Sequence, residues 1–327
     1  MITHNLNDLD SFIQINYPQL IVSKIEPLLH VNINSKNFLI YTNKGKFVLH
    51  NFRDNTDIIK FEKICKILEF CSKHNVKVIK PLLNKDGKYA NKKNKTYLTN
   101  YVDGEKFNGS IIELKNVAKN LALLHKALKK IKIKYDYRVG QLFYKNLDDT
   151  EFTIIKKVLV KKKKTTIDNF ILKNLNYIEN ITERDTEFTR SLNKVNLQKQ
   201  LIHFDVQPGN VIFKNGKVNA LLDFDSMRSG YVEQDVSFAC MRFAASQNMN
   251  QAIIKNRVNN FLQIYIQNNG TYELDRHQLG QFAQQLFLWH INYILRKRFF
   301  YNSEIWSTDF AKHLYYLKIS NKIWPTS

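Results

Sequence analysis

The sequence predicts an α+β fold in two lobes, an antiparallel sheet with one helix followed by a mainly helical part. Three observations carry this. Ile21–Leu29, Phe38–Thr42 and Lys46–His50 are short apolar alternations, and Asn43-Lys44-Gly45 between the last two is a hairpin signal. Asp57–Lys73 repeats apolar residues at helical spacing through Ile58, Phe61, Ile64, Cys65, Leu68 and Cys71. From Ile111 the dominant period becomes helical, and beyond Asp235 it stays so almost to the end.

Taken in order, Asp8–Tyr17 predicts a short helix that stops before Pro18. Val76–Leu83 and Lys95–Tyr101 read as two further strands, with Asp86-Gly87 turning between them. Val102-Asp103-Gly104 breaks the pattern and places the expected lobe boundary, giving an N-lobe of residues 1–101 and a C-lobe of residues 102–327. Ile111–Lys130 is an amphipathic helix with Leu114, Val117, Ala118, Leu121, Leu124 and Leu128 on one side. Phe143–Leu201 is lysine-rich and reads as mostly helical, with Lys161–Lys164 in a loop after a strand-like segment. There is no internal repeat and no Gly/Ser linker, so tightly packed lobes are expected.

The chain has 327 residues, 44% of them hydrophobic, which is enough for a sizeable core and argues against disorder. No apolar run is long enough to span a bilayer, and the N-terminal residues show no basic segment followed by an apolar one. Cys65, Cys71 and Cys240 are sparse, odd in number and without metal-ligand spacing, so reduced thiols and a cytoplasmic location are expected. The net charge of +21 suggests polyanions, but the lysines are spread along the chain and no RNA-recognition or helix-turn-helix signature accompanies them. Solvated faces explain the charge; no specific nucleic-acid or membrane partner is expected.

The chemistry concentrates in Leu201-Ile-His203-Phe-Asp205-Val-Gln-Pro208-Gly-Asn210-Val-Ile-Phe213, followed by Ala220-Leu-Leu-Asp223-Phe-Asp225. The intervening Asn215-Gly216 marks a hairpin. Phosphoryl transfer needs such a set: a carboxylate to receive a hydroxyl proton, and an amide plus a carboxylate to hold Mg²⁺ on a nucleotide. Taken singly, Asp205 reads equally as a loop-capping residue and Asn210 as a turn residue after Pro208-Gly209.

Together these pieces resemble the HxDxxxxN motif and metal-binding aspartate of the aminoglycoside phosphotransferase and choline kinase superfamily, small-molecule kinases with a protein-kinase-like fold. The run from Trp289 to Phe300, followed by Trp306, looks similar to homoserine kinase-like and N-acetylhexosamine kinase-like members. The resemblance implies an ATP- or GTP-dependent phosphotransferase that phosphorylates a hydroxyl of an amino acid, amino alcohol, amino sugar or aminoglycoside. It makes Asp205 the catalytic base and Asn210 and Asp223 the Mg²⁺ ligands. By the same resemblance His203 and Asp235 brace the catalytic loop, Asp235 from a helix below it, and Asp225 matches a second acidic residue that either touches the metal through water or only holds the loop.

For the nucleotide, the resemblance implies backbone contacts from the hinge strand at Asn100 and Val102, and a helix glutamate, Glu62, paired with a phosphate-clamping cation. Where relatives carry lysine or arginine in that strand this chain has His50, with Arg53 and Lys46 nearby. The segment Leu29–Phe38 has no glycine to bring amides close to phosphate, leaving Asn34, Ser35 and Asn37 as side-chain donors. These departures motivate an alternative, a non-catalytic kinase-like binding protein. For the acceptor, Asp148, Asp149, Glu151, Asp168, Trp289 and Tyr293 suit a cation, whereas Arg242, Arg296 and Arg298 suit a carboxylate or a sugar.

Overall fold

The computed structural model describes residues 6–28, 37–52, 56–131, 145–161, 165–192, 197, 199–245, 249–269, 274–303 and 309–324. The chain forms two compact units. The first comprises Met1–Asn108, Lys126–Ile131 and Gly209–Asp225; the second comprises Gly109–His125, Lys132–Pro208 and Ser226–Ser327.

In the first unit, β1 (Val22–Leu28), β2 (Asn37–Thr42), β3 (Gly45–Asn51), β4 (Ala90–Asn91) and β5 (Thr96–Asn100) make an antiparallel sheet of order β1-β2-β3-β5-β4. The hairpin expected at Asn43-Lys44-Gly45 sets the β2–β3 register at Thr42↔Gly45, and Gly45 has φ +109°. Helix α1 (Leu6–Asn16) buries Leu9, Phe12 and Ile13, with Tyr17 just after it, against Ile40, Phe47, Leu49 and Leu98 of the sheet. Helix α2 (Ile58–Lys73) starts at Asp57, whose carboxylate accepts from the Lys60 N–H at 3.0 Å. Its Phe61 and Cys65 pack with Tyr89 and Ala90. All three thiols are free and buried, and burial pushes the Cys71 thiol up to about 12.

The expected strand over Val76–Leu83 does not form. The segment makes only isolated bridges, Val78↔Leu221 and Pro81↔Thr99. Pro81 has no N–H to give to a ladder, which confines it to such edge contacts.

The hairpin of β7 (Val211–Lys214) and β8 (Lys217–Leu221) belongs to the first unit. It turns at Asn215-Gly216 with φ of +51° and +71°, the mirror-image turn that matches strand twist. Backbone bonds fasten it on both sides, Leu221 N to Lys77 O at 2.8 Å and Glu105 N to Phe213 O at 2.7 Å. Gly104, at φ +154°, permits the second contact, since a Cβ there would collide with the Phe213 carbonyl.

Helix α3 (Ile111–Lys129) begins in the second unit and its last residues belong to the first. The second unit continues with α4 (Asp149–Lys161), α5 (Thr166–Ser191), the β6–β9 pair (Lys199–Ile202 with Arg228–Tyr231), α6 (Val232–Ala244), α7 (Gln251–Asn269), α8 (Arg276–Phe300) and α9 (Phe310–Ile323). The segment before Lys161–Lys164 is therefore helical, not strand-like. Ile154, Ile155, Val158 and Val160 raise its strand propensity, but Phe152, Ile155 and Leu159 form a helical stripe that buries. Lys162–Lys164 lie outside the described residues. Every residue of α6 except Arg242 is buried. Arg257 of α7 closes the end of that helix by donating to Phe243 O and Ala244 O, each at 2.9 Å.

Candidate active site

The second unit carries the loop after β6. Phe204 adopts φ +70°, a conformation that costs free energy for a non-glycine residue. Asp235 holds it there. One Asp235 oxygen accepts from Phe204 N at 2.6 Å, and the other accepts from His203 N at 2.7 Å and bonds His125 Nε2 at 3.0 Å. His125 Nδ1 lies 2.7 Å from the Tyr265 hydroxyl, and the Arg228 guanidinium lies 3.2 Å above the Phe204 ring. Burial alone would raise the Asp235 pKa, but the His125 hydrogen bond and charge, with help from His203, hold the carboxyl below its ordinary value. His203 is fully buried, and its Nδ1 accepts from the Asp205 N–H at 3.2 Å. Asp205 follows this turn, and its Oδ1 accepts from Gln207 Nε2 at 2.8 Å.

In the first unit, Asn210 and Asp223 sit at the open end of the β7–β8 hairpin. Asn210 immediately precedes β7, its carbonyl accepts from Leu222 N at 2.9 Å, and Asp223 follows at φ +56°. That left-handed corner turns the Asp223 side chain outward while Phe224 is buried. An amide oxygen and a carboxylate brought to one hairpin end are hard donors suited to Mg²⁺. Among the described residues no three His, Cys, Asp or Glu side chains form a metal cage.

His50 stacks on Tyr97 with ring centroids 4.5 Å apart, and its Nε2 lies 3.0 Å from Thr99 Oγ1. Glu62 accepts from the Ala90 backbone N–H at 2.8 Å. Lys60, two residues earlier on α2, reaches the segment after β8, its ammonium donating to the Asp225 carbonyl at 2.5 Å. Burial lowers the Lys60 pKa, with Asp225 and Asp57 opposing that shift. Asn100 ends β5 opposite Phe47, and the next N–H, that of Tyr101, is given to Lys46 O at 2.9 Å; Val102 follows, half-buried. Arg53, Asn34 and Ser35 lie outside the described residues.

The acidic and aromatic acceptor candidates separate. Glu151 is bound by Arg296 at 2.7 Å, and Asp168 by Arg298 at 2.8 Å within the α5 capping box. Those four residues are committed to internal ion pairs, which corrects the expectation that they await an acceptor. Asp148, Asp149 and Trp289 instead line a cavity of about 680 Å³ with Glu179, Glu183 and Glu187. Tyr293 is not part of that lining; the Lys297 ammonium lies 5.5 Å from its ring centroid. Asp185, which lines a separate cavity, accepts from Asn146 Nδ2 at 2.7 Å, and burial pushes its pKa up to about 6. The native Asp185 keeps a proton that the unfolded chain has already released, so stability falls as pH rises from the ordinary carboxylate range to about 6. Asp185→Asn is expected to stabilise the protein by about 1–3 kcal/mol at pH 8, with the gain vanishing near pH 4. Urea unfolding at the two pH values checks this; an equal effect at both would refute it.

The sequence matches the model of a phosphotransferase enzyme family over residues 24–270. The chain belongs to that family. The fold of this phosphotransferase is shared by several solved structures at low identity. Spectinomycin phosphotransferase APH(9)-Ia, in complex with ADP and spectinomycin, is 12% identical with a TM-score of 0.69, covering 98% of both chains. Choline kinase LicA from Streptococcus pneumoniae is 13% identical with a TM-score of 0.61, covering 95% of this chain and 98% of that one. An ethanolamine kinase of Plasmodium vivax is 16% identical with a TM-score of 0.53, covering 98% and 89%. No curated protein sequence matches the chain.

Sequence reasoning missed Lys60, His125, Gln207 and Asp185 in this phosphotransferase. His125 had a faint signal, a polar residue on the buried face of α3 beside Leu121, Leu124 and Leu128. Gln207 had none beyond its place inside the motif. Among the described residues no helix is long and apolar enough to cross a membrane.

Proposed function

We propose that this phosphotransferase transfers the γ-phosphoryl group of ATP or GTP to a hydroxyl of a small amino compound. The observation that supports it most is the Asp235-held turn that fixes Asp205, in a family of phosphotransferases. Asp205 accepts the proton of the attacking hydroxyl and orients its oxygen. Asn210 and Asp223 hold Mg²⁺, which neutralises charge on the phosphates when bound. Asp225 lies beside them on the same segment. Asn100 and Val102 offer backbone groups to the base, and His50, Glu62 and Arg53 remain candidates for the phosphate side. The solved structures support the nucleotide, since spectinomycin phosphotransferase is seen with ADP and with AMP, LicA with AMP, and an amicoumacin kinase with AMP-PNP and Ca²⁺.

The acceptor class rests on the acidic cavity. In a chain of net charge +21, a cavity whose Asp148, Asp149, Glu179, Glu183 and Glu187 outnumber its Lys145 and Arg190 favours ammonium groups, and Trp289 adds an aromatic wall. Amino alcohols, amino sugars and aminoglycosides share that chemistry. The test is turnover of Mg²⁺–ATP across homoserine, choline, ethanolamine, hexosamines, hydroxylysine and aminoglycosides. Stimulation by an amine-bearing compound, weakened in Glu183→Gln, is the expected result. Stimulation by uncharged alcohols alone would overturn the acceptor class.

His50 favours a second reading, a non-catalytic kinase-like binding protein, because its ring is engaged with Tyr97 and Thr99. The two readings part on Lys60. If Lys60 supplies the phosphate cation, Lys60→Ala is expected to weaken Mg²⁺–ADP binding by about tenfold, the worth of one charged hydrogen bond. Calorimetry that shows no change in affinity would remove Lys60 from the site. No ADP binding and no turnover in the unmodified protein would favour the second reading.

A further inference from the structure

We propose that Arg242 is a positioning residue that acts through Gln207 to fix the orientation of the Asp205 carboxylate. This rests on Asp205 being the base. Gln207 bridges the two charged groups. Its Nε2 donates to Asp205 Oδ1 at 2.8 Å, and its Oε1 accepts from Arg242 Nη2 at 2.6 Å.

The two ends of a glutamine amide have nearly the same shape, so contact alone does not decide which end faces the base. Arg242 decides it. A guanidinium has five donors and no acceptor, so only the carbonyl end of Gln207 can face it. The amino end is then forced toward Asp205, where it suits a carboxylate. Without Arg242 the amide is able to turn over and present an oxygen to Asp205, which repels the anion or favours its protonated form.

The surroundings leave the guanidinium few other uses. Arg242 is the only residue of α6 that is not fully buried, and its Cζ lies 4.9 Å from the Tyr316 ring centroid. Its Nε and Nη1 are buried without a hydrogen-bond acceptor among the described residues. The stacked rings of His290 and His313 stand near it; burial first, and then the Arg242 charge at His290 and the His290 and Arg242 charges at His313, lower both imidazole pKa values. The strong charged hydrogen bond it makes here goes to Gln207. The far end of Gln207 meets Asp205, so the effect is on the base.

Crystal structures and kinetics of Arg242→Met, Gln207→Met and the double variant test this. In Arg242→Met the Gln207 amide is expected to leave Asp205 or reverse. With Mg²⁺–ATP and the acceptor compound that stimulates best, kcat should fall roughly 10–100-fold in each single variant while the nucleotide KM changes less than about threefold. The double variant should be no slower than Gln207→Met, because residues acting as one unit are not additive. Arg242→Lys should keep the amide oriented and recover much of kcat. An unmoved Gln207–Asp205 bond in Arg242→Met, or losses that add in the double variant, would overturn the proposal. If Arg242→Met does not fold, Gln207→Met still decides, since unchanged kcat there is fatal. Retained turnover in Asp205→Ala would sink the base assignment instead, and the crystal structures would still report whether Arg242 orients the amide.

Discussion

Replacing Asp235 by alanine is expected to destabilise the protein by about 3–5 kcal/mol, the cost of removing one partner of a buried, hydrogen-bonded charge pair. The carboxylate is completely buried and accepts from His125 and from the N–H groups of His203 and Phe204. Alanine leaves three buried polar groups without that acceptor, and it releases Phe204 from φ +70°. Asp235→Asn should fall between, because an amide keeps one acceptor but turns donors toward donors. The pH dependence has a definite sign. The Asp235 pKa lies below its ordinary value despite burial, because His125 and His203 favour the anion. Such a group stabilises the fold at any pH above the ordinary carboxylate range and withdraws that support as pH falls through its own lower pKa. The unmodified protein should therefore lose stability on the acid side more steeply than Asp235→Ala. Urea titrations of both proteins check this, and a loss under about 1 kcal/mol would show that the loop is held by other contacts.

Asp205→Ala is expected to cost roughly 10²–10⁴-fold in turnover, the usual worth of a general base. The loss should appear in kcat, since the proton is received only as the hydroxyl attacks. Thermal stability should change less than in Asp235→Ala, because Asp235 fastens the backbone of this turn. The contrast between the two aspartates is informative. One variant should be folded and slow, the other unstable. Turnover that survives in Asp205→Ala would remove it from the chemistry and leave the turn a structural motif.

The elements that sequence made legible are those whose signal is local. The β2–β3 hairpin was marked by Asn43-Lys44-Gly45 between two apolar alternations, and α2 by Phe61, Ile64, Cys65, Leu68 and Cys71. Asn215-Gly216 marked the hairpin that bears Asn210 and Asp223. The segment at Val76–Leu83 misled because its apolar residues suit a strand, while Pro81 forbids a continuous ladder. Asp149–Lys161 misled through β-branched residues, which tertiary burial of Phe152, Ile155 and Leu159 outweighed. The partners of the loop after β6 were illegible for another reason. His125 meets Asp235 from 110 residues away, and Arg242 meets Gln207 from 35. Neither pairing leaves a mark on the residues beside it. The same holds for Glu151 and Asp168, which looked available until Arg296 and Arg298 came to them through the fold.

The first unit is assembled from three stretches of chain that end at Asp225. During synthesis its five-stranded sheet emerges early, yet the separate hairpin that Lys77 and Glu105 bind is made more than a hundred residues later. Until then the Lys77 and Glu105 backbone groups lack those partners, and long-range closure of this kind is slow and exposed to misassembly. A nascent or truncated chain that stops before residue 225 is thus expected to carry an incomplete first unit and to depend on chaperones. Ribosome-bound chains of increasing length should gain protease resistance in the first hundred residues only once that hairpin has emerged.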